Sequence, residues 1–158
     1  MFMLNVVLVE PEIPPNTGNI ARLCVATNSR LHLVKPLGFR TDDKALKRAG
    51  LDYWKHLHIE YHESLEEFLG CVSHKRLLLF SKKAKMVYTR APFQKDSYLV
   101  FGKETLGLPD WLIDRFSNRC YQIPMWGSTR SLNLSTATGI VVYEAYRQLT
   151  SGFRILDF

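Results

Sequence analysis

Three largely apolar runs without polar alternation constrain this chain more than any other feature: Leu4 to Val9 (LNVVLV), Arg76 to Ser81 (RLLLFS) and Tyr98 to Gly102 (YLVFG). A strand with one face in water alternates apolar and polar residues. A run without alternation has both faces covered, as in a parallel sheet between helical layers. Leu31 to Lys35, His56 to Tyr61 and Cys120 to Ile123 supply further strand segments, and helical spacing returns at Asn19 to Ala26, Leu65 to Leu69 and Leu134 to Leu149. This alternation predicts an α/β domain with a mostly parallel sheet flanked by helices. No repeat or linker divides the 158 residues, so one domain over 1–158 is expected.

The punctuation between these segments is specific. After Pro11, Pro14 and Pro15, the side-chain oxygens of Asn16 and Thr17 are placed to cap the first helix. Asp42-Asp43 precede a short helical stretch that Gly50 can end, Ser64 and Glu67 have capping-box spacing, and Pro109 fits the first position of a helix. The final helix is apolar on more than one side, through Ala137, Ile140, Val141, Tyr143, Ala145 and Leu149. Such a surface is buried in its own domain or against a second subunit; for a domain this small the second is favoured.

Net charge narrows the partners. A formal charge of +6 and a pI near 9.3 suit a polyanion. From Lys75 to Lys95 there are seven Lys/Arg and no Asp or Glu, which reads either as a solvated face or as a phosphate-facing one. Cys24, Cys71 and Cys120 contain no C-x-x-C pair, so neither a disulfide framework nor a thiolate metal site is expected, and a reducing cytoplasm fits. The apolar N-terminus lacks a basic leader and meets Glu10 and Glu12, so it reads as a core strand; no membrane-spanning stretch follows.

Polar and glycine residues gather where strands should end, the place where open α/β sheets bind ligands. The first cluster is Asn16-Thr-Gly-Asn19 with Arg22 one turn later, expected to project toward the same mouth; as structure alone, Asn16 is a cap and Gly18 a turn residue. The second is Gly102-Lys-Glu-Thr-Leu-Gly107. Leu108 and Pro109 stand where a P-loop needs Lys and Ser/Thr, and no G-x-G-x-x-G occurs in the chain, so nucleotide-triphosphate and dinucleotide sites are disfavoured. The third is Ile123-Pro-Met125 followed by Ser131-Leu-Asn-Leu-Ser135, where free amides at a helix start can bind a polar group or the residues simply cap it. His56 and His58 would share a strand face but have no third ligand nearby, so no metal is expected. Cys24 lies in an apolar helix without a basic partner and is not expected to be a nucleophile.

Taken in order, N-x-G-N-x-x-R (Asn16 to Arg22), F-G-x-E-x-x-G (Phe101 to Gly107) and I-P-M with S-L-N-L-S (Ile123 to Ser135) resemble the three motifs of SPOUT-class RNA 2′-O-methyltransferases. PEIPPNTGNIARLC, LGFRTDDKALKRAGLDY and VVYEAYRQL are similar in particular to the compact bacterial enzymes that methylate the wobble cytidine or uridine of tRNA. The resemblance spans almost the whole chain. It implies a SPOUT fold with a C-terminal trefoil knot, S-adenosylmethionine as cofactor, tRNA as substrate, and a homodimer whose active site is completed across the interface. Carried over by motif position, Phe80, Gly102, Gly107, Ile123, Met125, Ser131 and Leu132 would contact the cofactor, and a bulky residue at Gly102 would obstruct it. Arg22 would act on the attacking 2′-hydroxyl, as base or by orienting it, with Glu104, Ser131 and Asn133 holding the site around it and Asn16 arranging Arg22. The same motifs are compatible with a SPOUT enzyme for ribosomal RNA or another tRNA position, or with a catalytically silent RNA-binding dimer.

Overall fold

The structure, a computed structural model, describes residues 4–42, 44, 46, 48 and 53–150. Seven parallel strands form one sheet: β1 (Asn5–Val9), β2 (Arg30–Val34), β3 (Ile59–His62), β4 (Leu77–Phe80), β5 (Met86–Val87), β6 (Tyr98–Phe101) and β7 (Cys120–Gln122), in the order β3-β2-β1-β6-β4-β7-β5. Successive residues of the continuous runs point to opposite faces, and each face is covered. Val6, Leu8, Leu78, Phe80, Leu99 and Phe101 pack under α1 (Pro14–Ala26) and α4 (Leu134–Leu149), through Ile20, Cys24, Val141 and Ala145. Val7, Val9, Leu77, Leu79 and Val100 pack under α2 (Leu65–Cys71) and α3 (Asp110–Arg115), through Phe68 and Leu112. Burial on both sides is why no alternation survives in these strands.

Local signals are met to within a residue or two at several boundaries. Ser64 caps α2, its Oγ accepting from the Glu67 amide at 3.0 Å, while the Glu67 carboxylate accepts from the amide of Glu63 at 3.0 Å. Pro109 is the residue before α3 rather than its first. The stretch expected to be a strand from His56 to Tyr61 divides: Trp54–His56 form a 3-10 turn and β3 begins at Ile59. His56 and His58 therefore do not share a strand face, which removes the geometry considered for a metal. Lys44, Leu46 and Arg48 are helical, whereas Asp43 and Gly50 lie outside the described residues. Among the described residues no helix is long and apolar enough to cross a membrane.

One buried polar chain crosses β1, β2 and β3. Asn5 donates its amide to the Asp96 carbonyl (3.2 Å), which turns Asn5 Oδ1 toward His32 Nε2 at 3.1 Å. His32 Nε2 must then donate, and its bare Nδ1 accepts from His62 Nε2 at 2.9 Å. With Glu60 these imidazoles form a trio of metal-ligand type. The hydrogen bond occupies the two nitrogens, however, and Arg30 lies 3.4 Å from the Glu60 carboxylate. Burial, then the neighbouring His62 and Arg30, push the His32 pKa from 6.5 down to about 3.

That depression has a signed consequence. Between the two values the unfolded chain binds a proton that the folded chain refuses. The contribution of His32 is thus complete above about pH 6.5 and is lost progressively toward pH 3. Urea midpoints of the native protein should fall between about pH 7 and 4 more steeply than those of His32→Gln. Equal slopes would exclude His32 as the source.

Candidate active site

The cavity at the carboxyl ends of β4, β6 and β7 is built from segments far apart in sequence. Phe80 and Phe101 are register partners in adjacent strands and stack at 5.2 Å, forming its floor. Around them stand Ser81 to Lys83 after β4, Gly102 to Leu108 after β6, Ile123 and Met125 after β7, and Ser131 to Leu134 with Ala137 at the start of α4; Ile13 and Asn16 close it from α1. Its volume is about 370 Å³. All seven residues expected to hold the cofactor line it: Phe80, Gly102, Gly107, Ile123, Met125, Ser131 and Leu132. The site lies beside the junction of β1 and β6, where strand order reverses, the position that physical argument assigns to ligands in open parallel sheets.

Glu104 organises the rim. The residue preceding α1 is Ile13, and Pro14 and Pro15 occupy the first two helical positions, where they have no amide hydrogens to satisfy. Asn16 and Thr17 therefore lie inside the helix, and the expectation that they cap it is corrected. The cap comes from another loop: the Glu104 carboxylate accepts from the amides of Glu12 (2.8 Å) and Ile13 (3.1 Å) and from Asn16 Nδ2 (3.4 Å). Freed from capping, Asn16 accepts at Oδ1 from Asn133 Nδ2 at 3.0 Å. Asn133 caps α4 in turn, accepting from the amides of Ser135 (2.9 Å) and Thr136 (3.3 Å). Those amides are consequently engaged by the protein itself and do not form the open polar site considered at this helix start. Glu104, Asn16 and Asn133 link all three polar clusters.

Two more ties fasten the β1–α1 loop to the β6 loop. Glu12 accepts from Thr105 Oγ1 (2.7 Å) and its amide (3.1 Å), contacts that hold its carboxyl below the usual range. Lys103 meets Glu10 at 2.8 Å, which raises the lysine pKa. Glu10 has φ 53, a left-handed conformation that costs a non-glycine residue about 1–2 kcal/mol. Its amide bond to the Val34 carbonyl at 2.8 Å helps hold that turn. Sequence reading missed Glu10, Glu12, Lys103 and Thr105; the available signal was two acids in one turn facing a lysine and a hydroxyl in the other.

Arg22 is the principal displacement from expectation. It lies six residues beyond Asn16, roughly 240° around the helix axis, and does not line the cavity of its own chain. It is exposed, with its guanidinium carbon 5.1 Å from the centre of the Tyr53 ring. The basic stretch contributes Lys82 and Lys83 to the rim, where Lys83 also meets Asp110 at 2.6 Å. Lys85, Arg90 and Lys95 are exposed elsewhere on that segment. Cys24 is fully buried, and burial drives its thiol far above the ordinary range, against any nucleophilic role.

Comparison with known proteins places the chain in a family. Residues 3–143 match the model of the SpoU rRNA Methylase family. The chain belongs to the SpoU methylase family. A tRNA (cytidine(34)-2'-O)-methyltransferase of Escherichia coli (strain K12) is 47% identical over 148 residues, covering 93% of this chain and 94% of the relative. A solved structure described as giving insight into 2-OH methylation of C/U34 on tRNA superposes with a TM-score of 0.89 at 45% identity, covering 95% of this chain and 98% of that one. An AdoMet-bound rRNA methyltransferase from Sinorhizobium meliloti aligns at 26% identity and TM-score 0.84, covering 93% of this chain and 57% of that longer chain.

The two loop glycines of this SpoU-family chain differ in what they require. A Cβ on Gly102 would lie 2.1 Å from the Gly107 carbonyl carbon and 2.2 Å from the Leu108 nitrogen, so a side chain there strikes its own loop, a constraint additional to the expected obstruction of the cofactor. Gly107 has open space but φ +68, so its constraint is conformational. Gly107→Ala should therefore cost about 1–2 kcal/mol, and Gly102→Ala clearly more. Denaturant midpoints of the two variants compare them directly; a reversed ranking contradicts this account of the loop.

Proposed function

We propose that this chain, working as a single domain in the cytoplasm, is an S-adenosylmethionine-dependent tRNA methyltransferase that modifies the ribose 2′-hydroxyl of the wobble nucleotide, cytidine or uridine. The observation that carries this reading is the convergence of three sequence-distant motifs on one cavity, joined by the Glu104–Asn16–Asn133 chain. The names of relatives that match nearly end to end point to the same substrate position.

The cavity suits the cofactor in chemistry as well as size. About 370 Å³ falls within the range of small-molecule sites. Phe80, Ile123, Met125 and Leu132 supply apolar wall for a nucleoside, while the loop from Gly102 to Gly107 brings backbone polar groups to the rim. When bound, S-adenosylmethionine supplies an already activated methyl, which leaves the protein to position and polarise the acceptor. Glu104, Asn16 and Asn133 hold the loops in place for that task. Arg22, pointing away from its own cavity, serves the site of a second copy, where its planar fork holds a phosphate or hydroxyl oxygen of the RNA. An ordinary guanidinium resists deprotonation, so its role is orientation rather than base catalysis.

The homodimer belongs to this proposal. Tyr143 on α4 is 49% exposed and Ile13 before α1 is 44% exposed, leaving apolar surface on the helical layer that carries Arg22. The trefoil knot implied by the motif resemblance belongs to it as well.

Incubation with labelled S-adenosylmethionine and total tRNA, followed by nuclease mapping, should place the methyl on nucleotide 34. Label on ribosomal RNA or another tRNA position would overturn the substrate assignment. Arg22→Ala should reduce transfer by at least about a hundredfold, the scale on which lost orientation acts, with cofactor affinity and the sedimentation of a dimer unchanged. Near-native turnover in that variant would refute the role of Arg22.

A further inference from the structure

We infer that Tyr53 is a positioning residue that sets the plane of the Arg22 guanidinium for the RNA acceptor. The inference rests on the catalytic reading of Arg22 given above and assigns a second residue to it. Arg22 lies on the exposed side of α1, and its guanidinium carbon stands 5.1 Å from the centre of the Tyr53 ring. That distance is within the range in which a cation is attracted to the negative face of an aromatic ring.

The choice of an aromatic partner is informative because other arginines are handled differently. Arg30, Arg40, Arg76 and Arg147 each face a carboxylate, Glu60, Asp42, Asp96 and Glu144 respectively. A carboxylate orients a guanidinium but neutralises it and occupies its donors. A tyrosine ring restrains the planar group from one face and leaves its charge and its in-plane N–H groups free for a phosphate or ribose oxygen. Tyr53 thus supplies orientation without competing with the substrate. Arg115 also lies over an aromatic ring, but Phe116 is its immediate neighbour in the chain, whereas Tyr53 comes from a separate segment.

Tyr53 is itself fixed. Its carbonyl accepts from the His56 amide at 2.9 Å, and the Leu57 amide bonds to the Trp54 carbonyl at 3.1 Å, closing the 3-10 turn that follows. Trp54 and Leu57 pack against the same core cluster as Ile20 and Cys24 of α1. The backbone that carries the ring and the helix that carries Arg22 are therefore referred to one rigid body. A long exposed side chain that would otherwise sample many rotamers is restrained before the RNA arrives, which is the economy that preorganisation provides.

The test compares Tyr53→Phe, Tyr53→Leu and Arg22→Ala in the full chain, measuring kcat and KM for tRNA, cofactor affinity and melting temperature. Tyr53→Phe keeps the ring and should stay close to native kcat; Tyr53→Leu should lose about three- to fivefold, the size of effect an exposed cation–π contact supports. Cofactor affinity and melting temperature should be unchanged in both. A native-like kcat in Tyr53→Leu, or equal losses in the Phe and Leu variants, overturns the inference. Should Tyr53→Leu fold poorly, progressively fluorinated phenylalanines at position 53 keep the shape of the ring while draining its negative face. Their kcat should fall with each fluorine, and a flat series overturns the inference. The Arg22→Ala arm separates the two claims. Near-native turnover there removes the catalytic reading and the role of Tyr53 with it. An inactive Arg22→Ala beside a fully active Tyr53→Leu removes the role of Tyr53 alone.

Discussion

The Glu104 carboxylate, set against the amino end of α1, is the interaction on which the rest of the site depends. A helix start carries partial positive charge and free amides, and an acid supplied by the β6 loop answers both. Since Pro14 and Pro15 present no amides, one carboxylate and the Ile13 carbonyl suffice for the first turn. The arrangement couples two loops that follow adjacent parallel strands. It also releases Asn16 to reach Asn133, so that a third loop is drawn in. Cavity shape is consequently a property of this polar chain as much as of the sheet beneath it.

What was legible in the sequence divides along physical lines. Strands β1, β4 and β6 were readable because burial on both faces leaves apolar segments without alternation, and the start of α4 was readable because Asn133 caps it locally. The cap of α1 was not, since the accepting carboxylate lies 91 residues from Ile13 in the chain and local spacing favoured Asn16. Arg22 stands out in the sequence by type, a cation in an apolar helix start, but it does not project toward the mouth that Asn16 lines. Six residues carry a side chain well past the face that Asn16 occupies. The seven cavity residues came from motif resemblance rather than from periodicity, and their convergence is a tertiary fact that no window of sequence contains.

The electrostatics of the site follow from how its acids are used. Glu10, Glu12 and Glu104 all lie beside a cavity whose proposed partner is a polyanion, a placement that would ordinarily repel it. Each is engaged at short range: Glu10 by Lys103, Glu12 by Thr105, Glu104 by two backbone amides. Hydrogen bonding to Thr105 holds Glu12 charged to lower pH than an ordinary glutamate, so it remains a structural anion rather than a titrating one. The acids act over a few ångströms on donors that point at them. At the rim Lys82 and Lys83 face solvent, the latter shared with Asp110, and the chain as a whole carries +6. The rim thus combines carboxylates that bind its loops together through Lys103, Thr105 and backbone amides with lysines at positions 82 and 83 on the same edge.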